Sequence, residues 1–265
     1  MRRIGTWLCL VALLVVGAVA ATAASAAEEL PALGRCVPAT GKTGEYKGPY
    51  CVKKAPGNGT YNFVAGPGPN PKFEGTIGPT KLETVGGKYV VTCSFGVATG
   101  EYTGQKTAKV SLALVGCLNQ LAQKCQTLPV KEGEIETQPL EGEFGFIKGG
   151  EHAKVGLDLK PAAPIAFSCG LPPELPTAVT VEGSAIGLWT PPNRMRSTFK
   201  ARYTANGGKQ NPEQFEGGVK DTLSLTRVTG VETATEQVGL TIIGVEEIPK
   251  ALIIENAEPI EIKAL

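Results

Sequence analysis

The chain is 265 residues long, and its Gly 34 and Pro 20 make up about a fifth of it, against about 12% in average usage. That share argues against a helix bundle, while 42% hydrophobic and 19% charged residues supply a core and exclude a chain disordered throughout. A formal net charge of +1 makes no case for bulk nucleic-acid binding.

The first element is a basic start at Arg2 and Arg3, an apolar run from about Trp7 to Ala21, and the small residues Ala24-Ser25-Ala26. This order predicts a secretory signal peptide over residues 1–26, cleaved after Ala26. Its apolar run falls short of the roughly 20 residues that cross a bilayer, and later apolar stretches such as Leu252 to Ile254 are shorter still. No transmembrane span is therefore expected after cleavage, and the expected location is secreted or extracytoplasmic, with cell-envelope association open. Removing 26 of 265 residues leaves 239 and takes away two arginines and no acid, so the formal charge goes from +1 to −1.

Cys9 lies inside the apolar run, which leaves Cys36, Cys51, Cys93, Cys117, Cys125 and Cys169 for an oxidising compartment. An even number there predicts disulfides. The closest two, Cys117 and Cys125, are too far apart for a zinc-ligand pair, and His152 is the only histidine, so no metal or cofactor is expected. In KYVVTCSF, Tyr89, Val91, Cys93 and Phe95 share one strand face, and in IAFSC so do Ile165, Phe167 and Cys169. The economical pairing is Cys36–Cys51, Cys117–Cys125 and Cys93–Cys169, the last joining two apolar strand faces.

In chain order, period-two patterning predicts strands at about Gly59 to Ala65, Lys88 to Phe95, Lys109 to Val115, Ala153 to Leu159, Ile165 to Cys169, Thr177 to Leu188, Thr198 to Thr204, Thr222 to Val228, Gln237 to Ile243 and Pro259 to Ile262. Glycine pairs at Gly86-Gly87, Gly149-Gly150, Gly207-Gly208 and Gly217-Gly218 read as turns between them. The apolar parity shifts around Gly183, from Val179 and Val181 to Ile186 and Leu188, which predicts a bulge. One or two helical turns are expected in Leu118 to Gln126, and a second short helix over Glu247 to Ile254, with Pro249 in its first turn. The fold class is all-β: a glycine-rich antiparallel β-sandwich or partly closed β-barrel with at most one or two short helices. Residues 27–265 read as a single disulfide-bonded domain, with a sub-boundary near residue 129 left open.

The arrangement Gly34-Arg35-Cys36-Val37, Gly44-Glu45-Tyr46, Cys51, Gly59-Thr60-Tyr61, Val115-Gly116-Cys117, Cys125, Gly133-Glu134-Ile135-Glu136-Thr137 and Leu140-Glu141-Gly142 resembles a group of uncharacterised exported bacterial proteins. The resemblance covers most of the mature chain and implies no activity, ligand or fold.

Catalytic motifs are poorly matched. Gly183-Ser184-Ala185-Ile186-Gly187 places its serine beside the first glycine, the wrong position for a nucleophile elbow. Ser197-Thr198-Phe199-Lys200 fits Ser-x-x-Lys, but Phe199 to Tyr203 reads as strand, not helix. His152 shares parity with Lys154 and Asp158, opposite Val155, Leu157 and Leu159, and is expected in solvent. The chain has only two Asp, Asp158 and Asp221, and Glu132, Glu134, Glu136, Glu141 and Glu143 alternate with Gly, Ile and Leu as the wet face of paired strands. A carboxylate hydrolase would need two of these acids to converge in a cleft.

One region stands out by charge. Arg194, Arg196, Lys200, Arg202 and Lys209 lie between Asn193 and Pro212 with no acid among them, directly after Trp189-Thr190-Pro191-Pro192. Trp189, Arg194, Arg196, Lys200 and Arg202 are the candidate binding residues, for an anionic envelope polymer or an acidic protein surface. The bland alternative is a solvated strand with a core tryptophan, its cations paired with the acidic segment after Gly230. The first functional reading is an exported non-enzymatic structural or binding protein of the cell envelope or extracellular space. The alternative is an exported carboxylate-dependent hydrolase acting on glycans. A small-molecule receptor of the periplasmic kind comes third, because βα alternation is missing.

Overall fold

The computed structural model describes residues 29–170, 175–243 and 251–265. The expected signal segment 1–26 lies outside the described residues, as does the part of the expected C-terminal helix before Ala251.

The chain begins with β1 (Ala32–Pro38), β2 (Gly44–Tyr46), β3 (Lys54–Gly59) and β4 (Tyr61–Ala65). It continues through β5 (Lys72–Ile77), β6 (Thr80–Thr84), β7 (Val90–Cys93), β8 (Phe95–Tyr102), β9 (Thr107–Val115), β10 (Leu118–Asn119), β11 (Cys125–Gln126) and β12 (Glu134–Glu136). Next come β13 (Leu140–Lys148), β14 (Lys154–Pro161), β15 (Ile165–Cys169), β16 (Thr177–Gly183), β17 (Ala185–Thr190) and β18 (Arg196–Arg202). The small hairpin β19 (Ala205–Asn206) and β20 (Lys209–Gln210) precedes β21 (Leu223–Thr229), β22 (Glu232–Ile242) and β23 (Leu252–Lys263). The fold is all-β, and the described residues contain no helix, none therefore long and apolar enough to cross a membrane.

Eight strands in the order β18-β17-β14-β13-β9-β8-β5-β23 close into a barrel, because β18 also pairs with β23. From β23 the sheet runs on as β1-β4-β2-β3, an N-terminal extension with its own small core of Cys36, Cys51 and Tyr46. A second sheet, β10-β7-β6-β22-β21-β16-β15-β11, is nearly closed, its two ends brought together by the bridge Leu118↔Lys124.

The barrels are stacked end to end, and short steps carry the chain from one into the other. β5 reaches β6 through Gly78-Pro79, β7 reaches β8 through Ser94, β14 reaches β15 through residues 162–164, and β16 reaches β17 through Ser184. One hydrophobic cluster runs through both, from Phe144 and Trp189 in the first to Phe167 and Val181 in the second. The first barrel is filled by a chain of rings: Phe73–Tyr102, Tyr102–Phe144, Phe144–Trp189 and Trp189–Phe199 have centroids 4.8, 6.3, 5.0 and 5.1 Å apart. Small inward residues make room for them; a Cβ at Gly100 would collide with the Phe73 ring on the neighbouring strand.

Three expectations are corrected. The segment from Leu118 to Gln126 is not helical: Leu118 and Lys124 bridge across a tight hairpin between β10 and β11. Likewise Leu252 to Ile254 belong to β23, where they pair with β5 and β18. The parity shift at Gly183 is not a bulge within one strand. Val179 and Val181 face the inside of the second barrel, and Ala185, Gly187 and Trp189 keep the same parity inside the first. Ile186 instead points outward and is covered by residues 211–222. Gly183 is where the chain crosses between barrels: its φ is +95°, and a Cβ there would strike the Thr222 carbonyl.

Cys36 bonds Cys51 as expected, but the other two pairings are exchanged: Cys93 bonds Cys117, and Cys125 bonds Cys169. Register is the reason. Cys125 and Cys169 are direct cross-strand partners, and Leu118 pairs with Thr92, which sets Cys117 beside Cys93. All four cysteines gather where the second sheet's ends meet.

Candidate functional site

β18 presents the expected cations. Phe199 and Ala201 are fully buried inside the barrel, which turns Arg196, Lys200 and Arg202 outward, all exposed. Lys200 lies opposite Thr190 on one side and Ile253 on the other, and Arg202 lies opposite Leu188, so no acid sits directly across from either. Arg196 pairs with Ile260 beyond a register shift in which β23 carries extra residues. Arg194 precedes the strand, and its guanidinium lies 5.1 Å from the centre of the Tyr50 ring, a contact between residues too far apart in the chain for local patterning to reveal.

Trp189 does not belong with them. It is 0% exposed, stacked on Phe199 inside the barrel, because it stands at an inward position of β17. The alternative, pairing with the acidic C-terminal segment, is not seen among the described residues, where no ion pair involves Arg194, Arg196, Lys200 or Arg202. Glu258 pairs with Arg35 instead, and Glu236 with Arg227 and Lys88.

The carboxylates form a second arrangement that sequence spacing could not reveal. Asp158 and Asp221 interact across the fold, with the Ser184 hydroxyl donating to Asp221 Oδ1 at 3.1 Å. Asp158 stands directly opposite Glu143, on a groove of about 360 Å³ that Lys109, Lys160, Thr103 and Thr107 also line. Burial raises the Asp158 carboxyl to about 6; the Asp221 and Glu143 charges push the same way, while the nearby Ser184 hydroxyl and Lys160 oppose them.

Residues 211–222 form a strap over this side of the barrel. Phe215 lies against Gly145 and Gly156, a direct cross-strand pair whose missing side chains form its socket. A backbone bond from Glu216 N to Phe146 O, 2.6 Å, and one from Gly149 N to the Glu216 carboxylate Oε2, 2.5 Å, fasten it. The one signal in the sequence is that Asp158 and Asp221 are its only aspartates.

His152 is exposed in the turn before β14. Among the described residues no group of three or more His, Cys, Asp or Glu could hold a metal ion. The chain matches no protein-family model, no curated protein and no solved structure.

Proposed function

We propose that this is an exported, non-enzymatic binding protein that engages an anionic envelope polymer through the outer face of β18. The observation that carries the reading is three outward cations on one strand face, Arg196, Lys200 and Arg202, with Arg194 close by in sequence and none of them ion-paired among the described residues. Unpaired cations on a rigid barrel wall attract a polyanion, with exposed Glu255, opposite Thr198, the one acid paired to this strand's outer face among the described residues. Replacing Arg196, Lys200 and Arg202 together by Ser should weaken retention on isolated cell envelope, and retention of the unaltered protein should fall with salt. Screening over about 8 Å at physiological ionic strength is the physical cause. Salt-insensitive retention that the triple variant leaves unchanged would remove the reading.

A second reading follows from the Asp158–Glu143 pair. Directly opposed strand residues hold their Cβ atoms about 5 Å apart, which lets both carboxyls reach one groove, the convergence that a retaining glycosidase requires. A carboxyl held at about 6 suits the acid of such a pair. Asp158→Asn and Glu143→Gln would then each abolish release of reducing ends from envelope glycan; no release by the unaltered protein would discard it.

A further inference from the structure

Where the two barrels meet, their rims do not fill the space between them. A cavity of about 130 Å³ remains, bounded by inward residues of both: Leu114, Leu159 and Ala185 from the first, Phe167, Val181 and Leu223 from the second. Among the described residues three hydroxyls belong to its wall, those of Thr80, Thr137 and Tyr203, and two of them are engaged elsewhere. Tyr203 Oη donates to the Leu157 carbonyl at 3.1 Å, and Thr137 Oγ1 accepts from Leu112 N at 3.0 Å. Among the described residues no charged side chain lines it.

A space with such a wall holds water poorly, because a water needs two to four polar partners. Apolar cavities of about 150 Å³ lined by Leu, Ile and Phe bind benzene or xenon for the same reason. The wall is also held from outside: Cys93 lines the cavity, and its bond to Cys117, with Cys125–Cys169, fixes the second barrel's seam next to it. Collapse by sliding one rim into the other is further opposed by the short covalent steps between barrels, such as Ser184 between β16 and β17.

We infer that the junction cavity is a binding site for a small apolar ligand, an aromatic ring or the end of an alkyl chain, independent of the basic face of β18. A ligand of this class gains by leaving water and meets a wall whose Tyr203 and Thr137 hydroxyls already have partners. Ala185 is where the volume is most readily filled: it is 3% exposed, lines the cavity, and is the smallest side chain on the wall among the described residues. Leucine at that position adds three carbons where the ligand would sit.

Benzene, titrated calorimetrically into the oxidised, signal-cleaved protein, should give saturable one-site heat. Crystals of the unaltered protein under xenon pressure should show one xenon between Leu114, Ala185 and Leu223. Ala185→Leu should weaken benzene binding at least ten-fold while leaving the three disulfides and the far-ultraviolet circular dichroism intact. Heats that never saturate, xenon absent from the junction, or undiminished binding by a folded Ala185→Leu protein would each overturn the inference. If that variant does not fold, the xenon position in the unaltered protein decides. Retention on cell envelope is measured separately, so failure here leaves the reading of β18 standing, and the reverse.

Discussion

The two barrels solve the problem of an open sheet edge by different means. In the first, β18 and β23 pair along five register positions, so closure is completed by backbone hydrogen bonds between full-length strands. In the second, the end strands β10 and β11 are two residues each and meet through one bridge and a Cys125 N to Cys117 O bond of 2.9 Å. Two disulfides anchor that hairpin, one to β7 and one to β15. The interiors differ in the same sense: a connected row of five aromatic rings fills the first, whereas the second meets the junction cavity with aliphatic side chains and Phe167. Closure by a ladder comes with dense packing, and closure by covalent bonds substitutes for strand length.

The largest test of this difference replaces Cys93, Cys117, Cys125 and Cys169 together by Ser. With sequence separations of 24 and 44 residues, each bond contributes about 3–4 kcal/mol by loop entropy. Native-state hydrogen exchange should show lost protection in β7, β15 and β16 while β13 and β14 keep theirs. Equal loss everywhere would mean that the barrels unfold as one unit. Trp189→Ala is the counterpart for the first barrel. It empties the centre of the ring chain and should cost about 3–5 kcal/mol, with β14, β17 and β18 losing protection first.

A smaller effect separates the two by pH. The Asp158 carboxyl titrates at about 6 in the folded protein, above its unfolded value of 3.8. The folded state therefore holds the proton more tightly, and the stability this contributes is full below pH 3.8, declines as pH rises toward 6, and is absent above it. Asp158→Asn should remove that decline, stabilising the protein at pH 7.5 by about 1–3 kcal/mol and little at pH 4, as read from urea midpoints. The smallest effect belongs to the basic face: Arg196, Lys200 and Arg202 changed to Ser should move stability by no more than about 0.5 kcal/mol each in thermal melts. A larger loss would mean that these side chains support the barrel wall.

Much of the fold was legible from alternation. Ile165 to Cys169 is a strand with the expected bounds, and Lys109 to Val115 lies within β9, because inward Val110, Leu112 and Leu114 alternate with less apolar residues. β5, β8 and β13 were harder to read, since inward Gly75, Gly96, Gly100 and Gly142 erase the apolar half of the pattern. The binding face was half legible: strand parity put Arg196, Lys200 and Arg202 on one side, but Trp189 was grouped with them by proximity in sequence across Pro191-Pro192. Ile186 and Leu188 misled in the same stretch, since a strap from residues 211–222 buries the outer face of β17 and leaves both faces of the strand apolar.

The amino-acid sequence by itself determined that the chain is all-β, that its turns fall at glycine pairs, and that Cys36 and Cys51 join across a short loop, because each of these is set by residues near one another along the chain. Only the tertiary structure decided that the strands divide between two stacked barrels, that Cys93 takes Cys117 and Cys125 takes Cys169, that Asp158 meets Asp221, and that a cavity remains at the junction. Each of those depends on which strands become neighbours, and register between strands far apart in sequence is chosen by the packing of the whole core rather than by the local pattern of any one of them.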